Sequence, residues 1–216
     1  MSKINMMNGD CMEYMASLPD KYYELAIVDP PYGIGVSEMN IGARVNKNLS
    51  CDNKGWDIII PTDEYFNELQ RISSNQIIWG ANYFNCFNGN HGAIIWNKNN
   101  PMPTQSDCEI ASYSKHKKVA IYNQTWTNYV NTKSTNHPTE KPVALYKWLL
   151  KNYAKPGDKI LDTHGGSGSI CIACHDMGFD LDWIELDEDY YNAAIKRFNT
   201  HTAQGSLFEF QGGNIA

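Results

Sequence analysis

A chain of 216 residues with 24 acidic against 18 basic side chains, a net charge of −6, is long enough to bury a core as one domain without disulfides. No run reaches the roughly 18 apolar residues of a membrane span, and six scattered cysteines behind an N-terminus without a long apolar stretch predict a protein of a reducing cytoplasm. The acidic total argues against a nucleic-acid partner until its distribution is read: residues 98–151 balance to +5 and residues 158–192 to −8, so one stretch suits phosphate and the other does not.

Periodicity predicts a strand near Lys3–Met7, a helix over Asp10–Leu18, a strand at Glu24–Val28 and a helix over Thr62–Ile72. Strands follow near Gln76–Trp79, Ala93–Trp96, Glu109–Tyr113 and Val119–Tyr122. The last third reads helix (Pro142–Tyr153), strand (Lys159–Leu161), helix (Ser169–Met177, stopped by Gly178), strand (Asp180–Leu186) and helix (Glu188–Phe198). This alternation predicts an α/β fold with a doubly wound, mostly parallel sheet of seven to eight strands and helices on both faces. The expected organisation is a single domain over 1–216, with a long functional or disordered loop at 33–57 and a frayed tail at 204–216.

"KILDTHGGSGSI" places a strand, Asp162, then Gly165, Gly166, Ser167 and Gly168, then a helix. Such glycines let backbone approach a ligand and open a helix whose N-terminus faces it. Glu185 ends the next strand about twenty residues on, the offset at which an acid takes ribose hydroxyls in doubly wound folds, so an adenosine-containing cofactor is expected. Asp29 and Asp162 both end strands and should face one crevice.

"IVDPPYG", Ile27–Gly33, sets a carboxylate at a strand end beside two prolines and an aromatic ring. A methyl acceptor that is an aromatic amine must give up delocalisation of its lone pair. A carboxylate (Asp29) and a carbonyl (Pro30) accepting its two hydrogens would localise that pair and favour the positive charge that develops. Proline rigidity fixes the carbonyl's direction, Tyr32 offers a stacking face of roughly 1–3 kcal/mol to a base, and Gly33 lets the chain turn away.

Asp29-Pro30-Pro31-Tyr32 resembles the catalytic tetrad of DNA amino-methyltransferases, and Asp at its first position resembles the adenine-N6 group. "NGDC" (Asn8–Cys11), "IIWGANYF" (Ile77–Phe84), "IIWNKNN" (Ile94–Asn100), "HPTEKP" (His137–Pro142) and "ILDTHGGSGS" with "IELDEDYY" resemble further motifs of that family, in the order of its β group. The resemblance implies S-adenosylmethionine as methyl donor and a flipped adenine in DNA as acceptor. It implies Asp10, Cys11, Asp29, Asp162, His164, Gly166, Ser167, Gly168, Glu185 and Leu186 around the cofactor, with His137, Pro138, Thr139 and Lys141 over its methionine end. It also implies a homodimer and a bacterial or phage-infected host, with no metal and no membrane.

Two departures stand out. Thr163-His164 replaces the family's usual Pro-Phe, which weakens cofactor binding or substitutes a polar contact, and the space for target recognition, about 99–136, is short. Arg44, Lys47 and Lys54 in the long loop, with Lys98, Lys115, Lys117 and Lys118, are the expected phosphate contacts. Cys171–His175 matches the haem-attachment spacing, but its place on a predicted helix makes Cys171 and Cys174 core thiols, and no second cysteine pair exists for zinc. Methylation of RNA, methylation of cytosine N4, and a cofactor-binding subunit that has lost catalysis remain open readings; the intact Asp29–Tyr32 argues against the last.

Overall fold

The computed structural model describes residues 2–33, 60–87, 91–99, 106–124 and 140–212, with side chains to residue 204. In chain order the elements are β1 (Ile4–Asn8), α1 (Cys11–Ala16), β2 (Tyr23–Val28), α2 (Asp63–Ile72), β3 (Ser73–Trp79), β4 (Gly92–Asn97), β5 (Cys108–Tyr113), β6 (Val119–Asn123), α3 (Val143–Tyr153), β7 (Lys159–Asp162), α4 (Ser169–Met177), β8 (Asp180–Glu185) and α5 (Glu188–Gly212). The eight strands form one sheet ordered β1-β8-β7-β2-β3-β5-β4-β6. Only β5 runs against its neighbours, β3 and β4; every other pairing is parallel.

Successive side chains of a strand point to opposite faces, and the middle strands are apolar on both. In β2, Leu25 and Ile27 join a core with Leu145 and Leu149 of α3 and Ile170 and Ala173 of α4, while Ala26 and Val28 join a second core with Met15 of α1 and Tyr65, Leu69 and Ile72 of α2. The predicted doubly wound sheet with both faces covered is thus the observed one. The helix α4 is buried from Ser169 to Cys174 because it lies between the sheet and its neighbouring helices. Its end is a glycine stop: Gly178 takes φ 78°, and the N–H groups of Gly178 and Phe179 return to the carbonyls of His175 and Cys174. Cys171 and Cys174 are fully buried core thiols, as their helical position implied.

Two boundaries differ from the sequence expectation by three residues or more. β3 begins at Ser73, three residues before the expected start at Gln76, because backbone pairing (Tyr23 opposite Ser73, Leu25 opposite Asn75) needs no apolar side chain; the Gln76 amide instead bonds the Ser73 carbonyl and hydroxyl. α5 continues past Phe198 to Gly212, so the backbone expected to fray from 204 is helical to 212. One polar contact ties the first turn of this extension to α4: His201 meets Asp176 at 2.7 Å. The range 99–136, expected as a recognition insert, holds β5 and β6 of the common sheet; its remaining parts, 100–105 and 125–136, lie outside the described residues, as does 34–57 of the long loop.

Candidate active site

β2 leads through α2 to its neighbour β3, and β7 leads through α4 to β8 on the other side. The two strands lie side by side, Ala26 opposite Leu161, so the winding direction reverses between them. A crevice opens at such a switch point beyond the strands' carboxyl ends, and Asp29 and Asp162 both sit there.

Among the described residues, two side chains hydrogen-bond the Asp29 carboxylate. Its Oδ1 accepts the Tyr32 hydroxyl at 2.5 Å and its Oδ2 accepts the Lys141 ammonium. Tyr32 is stacked on Tyr83 (centroids 5.0 Å, planes 17° apart), edge-on to Phe84, and pressed against Gly80. A Cβ on Gly80 would stand 2.2 Å from that ring, and the φ of 72° also selects glycine. Burial, reinforced by the Asp29 charge, pushes the Tyr32 phenol well above its ordinary value, so it is a hydrogen donor to the carboxylate.

Lys141 is 3% exposed, and burial alone would pull its ammonium down. The carboxylates of Asp29 and of Glu109, 3.0 Å away, outweigh that and hold it above the ordinary lysine value. Glu109 in turn pairs with Lys98 at 2.5 Å. Burial would raise Glu109, but the two lysines keep it below the usual carboxylate range. The antiparallel direction of β5 makes this possible: it puts Glu109, near the start of the strand, opposite Trp96 at the carboxyl edge of β4.

On the other side of the crevice the glycine loop is built into the fold. A Cβ on Gly165 would come within 1.9 Å of the buried Trp183 indole, and Gly166 and Gly168 take φ of 51° and 70°. Glu185 is tied to the loop by the Gly166 N–H at 2.7 Å and to its own strand end by the Asp187 N–H at 2.8 Å. Burial raises its carboxyl above the usual range. Arg197 of α5 clamps the loop from behind, reaching the Ser167 carbonyl, the Ser169 hydroxyl and Glu140. Asp162 is 1% exposed; burial, with Asp29 and Glu185 nearby, pushes it up to about 8 even though it accepts the His164 N–H. Thr163 and His164, the departures from the usual Pro-Phe, have a polar partner in α2: Tyr65 Oη lies 2.7 Å from Thr163 Oγ1 and 3.4 Å from His164 Nδ1. Desolvation pulls His164 down to about 4, so its imidazole is neutral at pH 7.

A family model described as DNA methylase matches residues 58–196. The chain belongs to the DNA methylase family. The match begins downstream of Asp29–Tyr32, so that motif rests on its own residues and geometry. This DNA methylase is 24% identical to a putative methylase, YubD, of Escherichia coli K12 over 88% of either chain. It is also 24% identical to the type II methyltransferase M2.DpnII of Streptococcus pneumoniae, over 91% of this chain and 90% of that one. Among solved structures, the M1.HpyAVI–SAM complex superposes with a TM-score of 0.58 at 22% identity, covering 90% of this chain and 99% of the other. The cytosine-N4-specific PvuII methyltransferase superposes at 0.59 with 14% identity, covering 92% and 87%. These likenesses establish the methyltransferase fold.

The structure brings Asp29, Pro30, Pro31, Tyr32, Lys141, Asp162, His164, Gly166, Ser167, Gly168 and Glu185 of this DNA methylase to the crevice or its rim. Asp10 caps α1, its Oδ1 accepting the Met12 N–H at 2.6 Å, and it lies beside Cys11; Gly9 ties that turn to the Glu185 carbonyl. Leu186 is 72% exposed at the end of β8, an open apolar surface beside Glu185. The donor set fits an adenosine-bearing group: a glycine loop with room for backbone approach, a half-buried acid for a diol, and an apolar face for a flat ring. Lys141, expected over the methionine arm, points instead at Asp29, and Lys98, expected on phosphate, is engaged by Glu109. Lys115, Lys117 and Lys118 are not at the site. They follow the end of β5, which faces Gly92 at the opposite edge of the sheet, a strand length of roughly 20 Å away. His137, Pro138, Thr139, Arg44, Lys47 and Lys54 lie outside the described residues. Among the described residues no helix is long and apolar enough to cross a membrane, and no cluster of three metal-ligating side chains occurs. Glu109, Tyr65 and Arg197 escaped sequence reading, since each is defined by a partner distant in the chain.

Proposed function

We propose that this DNA methylase transfers a methyl group from S-adenosylmethionine to the exocyclic N6 amine of an adenine swung out of the DNA helix. The observation that carries the reading is the Asp29 carboxylate at the switch point, followed by Pro30 and Tyr32 and sharing its crevice with the glycine loop and Glu185. When bound, S-adenosylmethionine supplies an electrophilic methyl group on a sulfonium centre. Asp10 and Glu185 would hold its adenosine and Gly166–Gly168 would line it.

The chain's own part is to bind and reshape the amine. Asp29 Oδ1 already holds an O–H hydrogen from Tyr32, so the same oxygen can accept an amine N–H once that hydroxyl turns aside. The Pro30 carbonyl, its direction restricted by two consecutive prolines, would accept the second N–H. Together they would draw the nitrogen toward tetrahedral geometry and stabilise the charge that develops on it as the N–C bond forms and the donor's S–C bond breaks, and one of the two N–H hydrogens then leaves as a proton through the Asp29 carboxylate. The Tyr32 ring, here stacked on Tyr83, would give the base a stacking surface that offsets the loss of helix stacking once it turns from that partner together with its hydroxyl. Adenine is favoured over cytosine by Asp at the first motif position.

Labelled methyl transfer into duplex DNA, single-stranded DNA and RNA, followed by nucleoside analysis, tests the reading. N6-methyladenine in DNA is the expected product; N4-methylcytosine, methylated RNA, or cofactor binding without transfer would each replace it. Asp29→Ala should abolish turnover while S-adenosylmethionine affinity stays within a few-fold, and full activity in that variant would contradict the mechanism.

A further inference from the structure

Four charges of alternating sign run in a line through the site: Lys98 at the end of β4, Glu109 in β5, Lys141 ahead of α3 and Asp29 after β2. The links are 2.5 Å from Lys98 to Glu109, 3.0 Å from Glu109 to Lys141, and a direct hydrogen bond from Lys141 to Asp29. The Lys141 ammonium stands 5.2 Å from the centre of the Trp79 ring and 5.8 Å from that of Tyr32. It therefore has little freedom to leave. Only Lys141 of the four is fully buried, and ion pairs, whether buried or partly exposed, give little net stability, so stability does not account for four charges in series that end on the working carboxylate.

Resting on the reading above, we propose that Glu109 and Lys98 are positioning residues that act through Lys141 to hold Asp29, with Oδ2 gripped and Oδ1 left for the target amine. Glu109 fixes the ammonium from behind, Lys98 keeps Glu109 from drawing it away, and the carboxylate keeps one orientation when the Tyr32 hydroxyl leaves. Among the described residues, the other titratable groups around Asp29 are Tyr32, Tyr146 of α3, Glu109 and Asp162. Both phenols are raised, chiefly by burial, and do not ionise near neutrality; Asp162 titrates near 8, on the alkaline side.

The test is methyl transfer to duplex DNA as a function of pH by Lys98→Met, Glu109→Gln, Lys141→Gln and Asp29→Asn, with S-adenosylmethionine affinity by calorimetry and folding by thermal melts. A line of alternating charges gives shifts of alternating sign. The acid limb of the kcat profile should move to higher pH in Lys141→Gln and, by less, in Lys98→Met, because a cation near Asp29 is removed; in Glu109→Gln it should move to lower pH. At neutral pH kcat should fall about 100-fold in Lys141→Gln, the scale of a small misplacement of a catalytic group, with cofactor affinity within about threefold. Limbs that stay in place, or that all move together, overturn the proposal while Asp29→Asn remains inactive. Full turnover by Asp29→Asn instead removes the reading on which it rests. Should Lys141→Gln fail to fold, the opposed shifts of Glu109→Gln and Lys98→Met decide alone.

Discussion

Gly165→Ala puts a single methyl group where the fold has no room for it. The new Cβ would lie 1.9 Å from Trp183 Cε2, 2.1 Å from Nε1 and 2.3 Å from Cζ2, whereas ordinary contact begins at 3.4 Å, so ring or loop must give by about 1.5 Å. Trp183 is fully buried with Tyr191 beside it and cannot swing away. The loop must lift, stretching the Gly165 N–H bond to the Ile184 carbonyl and the Gly166 N–H bond to Glu185. Overpacking typically costs about 1–3 kcal/mol, and a bond to a charged acceptor about 1.5–3 kcal/mol, so a loss of roughly 3–4 kcal/mol is expected. At about 2–4 °C per kcal/mol for a domain of this size, Tm should fall by roughly 6–15 °C. Differential scanning calorimetry with and without S-adenosylmethionine measures both consequences, since the loop that lifts is the loop proposed to line the cofactor. A Tm within about 2 °C of the parent, with unchanged affinity, would refute the packing argument.

Glu185→Ala should weaken S-adenosylmethionine binding by about 10- to 100-fold in calorimetry, the worth of hydrogen bonds to a charged acceptor, before it affects kcat; unchanged affinity counts against the ribose assignment. Asp162, raised to about 8, keeps its proton longer in the folded state, so its contribution is full below the unfolded value near 4 and is lost as pH rises through 8. His164, lowered to about 4, acts oppositely and only below about pH 6.5. Urea melts of the protein alone should therefore lose roughly 2 kcal/mol between about pH 6.5 and 8, and Asp162→Asn should be flat there; a parent slope that survives in the variant would assign it elsewhere. Tyr65→Phe removes the hydroxyl on Thr163 and His164 but keeps the ring, and should cost about 1–2 kcal/mol in the same melts. No loss would mean that the polar pair needs no support from α2.

The sequence by itself determined the strand–helix alternation, the two strand ends carrying Asp29 and Asp162, and the glycine loop with its acid at Glu185. Each is a local matter: apolar periodicity, breaker residues and short spacings are written along the chain. Only the tertiary structure decided the rest. Whether β5 runs with or against its neighbours depends on pairing between distant segments, and its reversal carried Glu109 into the crevice and the Lys115–Lys118 turn to the far edge of the sheet. The same holds for Lys141, 112 residues from Asp29 in the chain yet bonded to it. A charge count showed a basic stretch, but a lysine's role follows from which carboxylate faces it in space, and that is set by strand order and direction.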